Sequence, residues 1–256
     1  MSFINKNDLF LLGEIVKKNV SGKYKGSIIG VGWTVLSPLL MMALFTIIFS
    51  TIFSRSIENY AVYFLSGWCL YTFFSNSIRN SMNAIYGNRN ILQRTPAPKY
   101  IFVIGTIISE LLNYIIMLVL LLLVMLVAHA PFHLPIMLLS IIPVISMLIM
   151  VTGLGLMLSI ASVYYKDIQY LWTVISMMLM YASCIFYPIT IVPIMYRRYL
   201  LLNPLYWIID QFRSFVYLGT FPQLLGIINS LLLSLIILII GIIVFKKYEN
   251  KVAMKF

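Results

Sequence analysis

The chain has 256 residues, 62% of them apolar and only 10% charged, and its 18 Lys and Arg against 7 Asp and Glu leave a formal net charge of +11. That composition excludes a soluble domain built around one core and makes the whole chain a membrane domain. The basic residues sit between apolar runs instead of forming a basic domain of their own, which points to a cytoplasmic lipid surface and away from nucleic acid.

Residues 1–25 come first. Phe3, Leu9, Phe10, Leu12, Ile15, Val16 and Val20 recur at near-helical spacing among Lys6, Lys17, Lys18, Lys23 and Lys25. This predicts an amphipathic helix lying at the membrane interface. A secretory leader would have a shorter basic region and end in a small-residue cleavage site, so an uncleaved segment is expected.

From Gly26 to Ser54 there is no Asp, Glu, Lys or Arg. A charged group at mid-bilayer costs several kcal/mol, and about 20 apolar residues cross the core, so charge-free windows locate the spans. Six are predicted, near residues 28–53, 60–78, 101–128, 134–163, 168–187 and 221–245. The third and fourth share one window without ionised residues, Leu111 to Tyr165, which the turn-forming stretch His129 to Pro135 divides. Lys6, Lys17, Lys18, Lys23, Lys25, Arg79, Arg89, Arg94, Lys99, Lys166, Lys246, Lys247, Lys251 and Lys255 fall on the amino-terminal side of the spans, and only Arg55, Arg197, Arg198 and Arg213 on the other. The positive-inside rule then places both termini in the cytoplasm. No internal repeat is evident, which argues against a transporter built from two similar halves.

Three connections stand out. Residues 79–100 form a polar, helix-compatible loop stopped by Pro96 and Pro98, suited either to receive force from a cytosolic partner or merely to enforce topology. Tyr164 to Tyr170 makes a tight turn around Lys166 and Asp167. The stretch 188–221 is broken by Pro188, Pro193 and Asn203-Pro204; its pieces are too short to span, and Tyr196, Arg197, Arg198, Tyr206, Trp207, Asp210 and Arg213 give it an aromatic and cationic character. It reads as an interfacial aromatic belt or as an external gate.

The chemistry of an enzyme is missing. There is no phosphate-binding Gly-rich loop, no HExxH, no Gly-x-Ser-x-Gly and no Cys/His cluster. Cys69 and Cys184 lie in apolar runs and read as packing residues. Of seven carboxylates only Glu110 falls inside a span, where it is a functional candidate or an acceptor for a neighbour such as Asn113. Phe45, Phe49 and Phe53 recur every four residues, and Tyr170, Trp172 and Tyr181 follow in span five. These rings read either as packing or as the lining of a channel through which sugars pass.

The order of features resembles the inner-membrane permeases of polysaccharide ABC exporters, the type 2 ABC export permeases. Gly30, Trp33, Leu36 and Pro38 keep the spacing of that family's LG-x-x-W-x-x-L-x-P motif, with Ile29 at its first position. Pro96-Ala97-Pro98, Lys166-Asp167-Ile168 and Asn203-Pro204 followed by Arg213 are similar to further family motifs, so the likeness covers essentially the whole chain. The resemblance implies an all-α, six-span homodimer in a bacterial inner membrane, each copy docking a separate ATPase subunit that binds ATP and magnesium. The chain itself would carry no cofactor. The substrate implied is a glycan on an undecaprenyl-pyrophosphate type carrier: O-antigen first, with teichoic acid or capsule as alternatives. An ATP-independent lipid or glycan flippase is the competing class. By the same resemblance Tyr86, Asn88, Arg89, Asn90 and Arg94 belong to the coupling helix. Lys17, Lys18, Lys23, Lys25, Gly30, Trp33, Pro38 and Arg89 lie at the cytosolic entrance, and Arg197, Arg198, Tyr206, Trp207 and Arg213 belong to the external gate.

Overall fold

A computed structural model describes residues 6–24, 30–53, 57–94 and 97–252. Lys25, Ile29, Arg55, Thr95, Pro96 and Lys255, and the side chains of Lys23 and Phe53, lie outside the described part. Among the described residues the secondary structure is helical, with no strand. In order come α1 (Lys6–Tyr24), a 3-10 turn (Gly30–Gly32), α2 (Trp33–Phe53), α3 (Tyr60–Ala84), a second 3-10 turn (Tyr86–Asn88) and α4 (Arg89–Arg94). These are followed by α5 (Tyr100–Val127), α6 (Leu134–Leu138), α7 (Ile141–Tyr164), α8 (Ile168–Ala182), α9 (Ile194–Leu200), α10 (Pro204–Arg213), a π turn (Ser214–Leu218) and α11 (Leu224–Val252).

Among the described residues four helical stretches are long and apolar enough to cross a membrane: Trp33–Ser50, Tyr100–Val127, Leu134–Tyr164 and Leu224–Lys251. The window without ionised residues divides where the sequence indicates. His129 takes a left-handed backbone (φ 49°), its N–H bonds Leu126, and the Ala130 N–H reaches back to Met125 at 3.0 Å, a Schellman stop made without glycine.

α3 is less apolar than those four because it hardly meets the outside. Seventeen of its residues are buried, including Phe64, Leu65, Leu70, Phe74 and Ile78. It packs against α2, α5, α7, α8 and α10, so its Ser66, Ser77 and Ser81 need tolerate only protein neighbours. α7 and α11 form the closest pair. A Cβ on Gly153 would sit 2.6 Å from the Ile237 carbonyl oxygen, so the small residue is what lets the two backbones touch. α11 also runs past the predicted end at 245, because Phe245 is buried and Tyr248 meets Tyr164 edge-on at 6.2 Å. α8 stops at Ala182, five residues short of the predicted span end at 187. The carbonyls of Cys184, Ile185, Phe186 and Tyr187 are taken by side chains from elsewhere, which leaves them unavailable to a helix.

α5 and α11 expose apolar side chains along one face, and α2 and α8 are more exposed still. α2 presents Leu40, Met41, Leu44, Ile47, Ile48 and Ile52, and in α8 only Trp172 and Ser176 are buried. Both pack on α3, which leaves each with a broad apolar surface turned away from the protomer.

Candidate functional site

The sequence-derived residues gather at two ends of the molecule and around one cavity between them. At the first end α1 lies along the start of α5, with Ile15 under Gly105 and the Asn19 amide 3.5 Å from the Thr106 hydroxyl. From α1 the Lys18 ammonium donates to Asn88 Oδ1 at 2.8 Å, and Asn88 Nδ2 in turn donates to the Ala84 carbonyl at 2.8 Å. Lys18 is thus bonded to the segment 86–94, and both it and Lys17 are exposed. The segment 86–94 is a turn followed by one short helix, and its amphipathy is simple. Ile91 and Leu92 pack against the core, while Tyr86, Arg89, Asn90 and Arg94 are exposed. Tyr86 is shared by two cations: Arg89 donates to its hydroxyl at 3.0 Å and stacks 5.1 Å from its ring centre, and the Lys166 ammonium stands 5.7 Å away. Lys166 belongs to the α7–α8 turn, and Gln169 just beyond it donates to Asn83 at 2.8 Å. The two connections singled out in the sequence on this side therefore touch.

At the opposite end the region 188–221 divides in two. Around α9, Tyr196, Arg198 and Tyr199 are exposed. Arg198 stacks on Tyr199, and Arg197 donates to the Val192 and Thr190 carbonyls at 2.7 and 2.6 Å. α10 is an inner helix. Asn203 caps it by accepting from the Leu205 N–H at 3.0 Å and ties it to Ser183 at 2.9 Å, with Pro204 supplying the first helical residue. Tyr206 and Arg213, read from the sequence as external, are buried instead, and Trp207 is half-buried with its indole N–H on the Leu201 carbonyl at 2.8 Å. The cause is the amphipathy of α10, whose Leu205, Ile208, Ile209 and Phe212 all point inward.

Arg213 is the central residue of this end, only 6% exposed. It donates to the Tyr63 hydroxyl at 2.9 Å and to the Cys184 and Ile185 carbonyls at 2.8 and 2.7 Å, and its guanidinium lies 3.7 Å from the centre of the Tyr63 ring. Tyr63 donates onward to the Tyr187 carbonyl, and Tyr60 to that of Phe186, both at 2.9 Å. Gly67 makes room: a Cβ there would lie 2.6 Å from the guanidinium. Burial raises the Asp210 carboxyl pKa above its ordinary value, and the Arg213 charge offsets part of that rise.

The aromatic residues do not form one lining. Phe45 and Phe49 are half-buried and face inward, Phe45 lying 5.0 Å from Phe64 and 4.7 Å from Phe186, and Phe49 6.1 Å from Tyr60. Trp172 is buried against Phe74 at 5.7 Å, while Tyr170 and Tyr181 are exposed on α8. Trp172 therefore does not share their face.

The cavity lies where α2 begins, between α2, α3 and α5, with a volume of about 440 Å³. Gly30 opens it: φ of +54° turns the chain into α2, a conformation that L side chains rarely adopt. Trp33 and Pro38 line one side and Trp68, Thr72 and Asn76 another. Glu110 closes it from α5, 5% exposed, its carboxylate accepting from Asn80 at 2.8 Å and from Asn113 at 3.0 Å. Three of the entrance residues named from the sequence, Gly30, Trp33 and Pro38, come together here with Glu110. The lysines do not line this space among the described residues. Asn113 was named from the sequence as a neighbour of Glu110; what the sequence missed is the second amide, Asn80, thirty residues away on another helix.

Comparison with known proteins follows this geometry. The ABC-2 type transporter family matches residues 11–217. The chain is similar to an O-antigen export system permease protein RfbA of Klebsiella pneumoniae, 24% identical with 95% of this chain and 93% of the relative covered. It is also similar to an RfbA of Myxococcus xanthus, 22% identical over 83% of this chain and 82% of the relative. A polysialic acid transport protein KpsM of Escherichia coli is 24% identical over 90% of this chain and 88% of its own length.

Proposed function

Since this chain belongs to the ABC-2 type transporter family, we propose that it is the membrane subunit of an ATP-driven exporter of polysaccharide, O-antigen first. Family membership brings with it a multi-pass membrane location and a partner ATPase. Relatives along nearly the whole length carry names of O-antigen and polysialic acid export, which supports a glycan cargo. In this reading α2, α3, α5, α7, α8 and α11 are the six spans, and both termini are cytoplasmic. The cargo is a glycan on an undecaprenyl-pyrophosphate type carrier, and the membrane is a bacterial inner membrane.

The observation that carries the reading is the exposed segment 86–94. A short helix rich in polar and basic side chains is anchored from behind by Ile91 and Leu92 and held from the sides by Lys18 of α1 and Lys166 of the α7–α8 turn. Such a segment can pass a push from the ATPase into three elements at once. The apolar faces of α2 and α8 supply the surface for a second copy, and a homodimer would enclose the passage between them. Capsule or teichoic-acid export is the same mechanism with another cargo.

The decisive measurement is genetic and biochemical together. Deleting the chain should abolish surface polysaccharide, and the tagged chain should co-purify with an ATPase as a dimer. Intact surface polysaccharide in the deletion strain would falsify the exporter reading.

A further inference from the structure

We infer that the cavity between α2, α3 and α5 binds a single uncharged sugar ring of the exported glycan, a reading that rests on the exporter assignment above. Its volume of about 440 Å³ is in the usual range for small-molecule sites, about 300–1,000 Å³. The walls combine two kinds of surface. Trp33, Trp68 and Tyr114 offer ring faces, on which the C–H face of a pyranose packs, and Thr72, Asn76 and Glu110 offer hydrogen-bonding groups at its edge. Among the described residues lining the cavity there is no Lys or Arg, so it lacks the cations a pyrophosphate demands. A carboxylate is in addition repelled by phosphate and attracts hydroxyl donors.

One further observation sets this cavity apart from an ordinary packing defect. A carboxylate deep in a membrane protein is costly, and this one is held in place by two amides from different helices, Asn80 and Asn113. Gly30 and the exposed Trp33 stand at the rim, so a sugar reaches the cavity from the start of α2 while its charged carrier, for which the lining offers no cation, stays outside.

The test uses the full-length chain in phosphatidylcholine nanodiscs, with tryptophan fluorescence as the signal. The probes are the methyl glycosides of glucose, galactose and N-acetylglucosamine, with methyl phosphate as the charged comparison. At least one glycoside should give a saturable change that weakens tenfold or more in Glu110→Gln. The change should vanish in Ser37→Phe, which fills the cavity from an exposed position of α2. Thr72→Val, a near-isosteric change, guards against a misfolded variant and should weaken binding at least threefold. Saturation by methyl phosphate alone would make this a phosphate or lipid-headgroup site and overturn the inference. So would the absence of saturation with any glycoside, or an undiminished response in Ser37→Phe. The exporter assignment is judged separately: a deletion strain that keeps its surface polysaccharide refutes it whatever the glycosides do, and a lost polysaccharide with no glycoside binding refutes only the cavity.

Discussion

The two ends of the molecule use arginine in opposite ways. At one end Arg213 is buried, and its two terminal nitrogens donate to the backbone of a single turn, residues 184–185, and to Tyr63, while its Nε has no partner among the described residues. At the other Arg89 lies exposed, in contact with Tyr86, at the tip of a helix of six residues. A buried guanidinium whose two terminal nitrogens are both bonded locks three elements into one geometry, because any displacement leaves a charge and several carbonyls unpaired. An exposed one in the same chain contributes little to stability and remains available to a partner. The locked end is the fixed frame, and the open end is where a second protein can act on it.

Four sets of substitutions probe this contrast, from the largest expected effect on stability to the smallest. Arg213→Ala should cost about 3 kcal/mol or more and lower the thermal midpoint in detergent, because it orphans the Cys184 and Ile185 carbonyls. Arg213→Lys should recover only part of this, since an ammonium cannot reproduce the planar fork. An unchanged midpoint in both would remove the lock from the account.

Phe45→Ala with Phe49→Ala should cost about 2 kcal/mol, because these rings pack on Phe64, Phe186 and Tyr60 beside the locked end. A tenfold fall in export at unchanged stability would instead place the rings against the glycan.

Asp210→Asn should have a smaller effect and one visible only against pH. The raised pKa means the folded state favours the protonated carboxyl. That contribution is fully present below the ordinary carboxylate value and is lost as pH rises through the folded value. The Asn variant should therefore be the more stable near neutrality and lack that part of the slope between the two values. A wild-type slope in the variant would show that Asp210 does not carry it.

At the open end, Arg89→Glu with Arg94→Glu should change stability by less than about 0.5 kcal/mol, yet abolish co-purification with the ATPase and export. Should both survive the double reversal, segment 86–94 is not the coupling element.

Much of this protein was legible in its sequence, for a physical reason. Hydrocarbon rejects ionised groups wherever they stand, so runs without ionised residues, turn signals at 129–135 and the break at Asn203-Pro204 are local properties that need no partner to be read. A helical segment within residues 79–100 was also legible from its polar and proline punctuation, though its bounds, Arg89–Arg94, were not. Tertiary structure decided everything that depends on which face a helix turns inward. Asn203 to Arg213 looks the same in sequence whether α10 lies on the surface or inside; only packing against α3, α7 and α11 buried Tyr206 and Arg213. Trp172 parted from Tyr170 and Tyr181 because one face of α8 meets Phe74. Glu110 could be singled out by its charge, but its partner Asn80, the surrounding cavity and the grouping with Trp33 and Trp68 exist only where three helices meet. Charge and punctuation are written along the chain; burial is a property of neighbours, and neighbours are known only once the helices have packed.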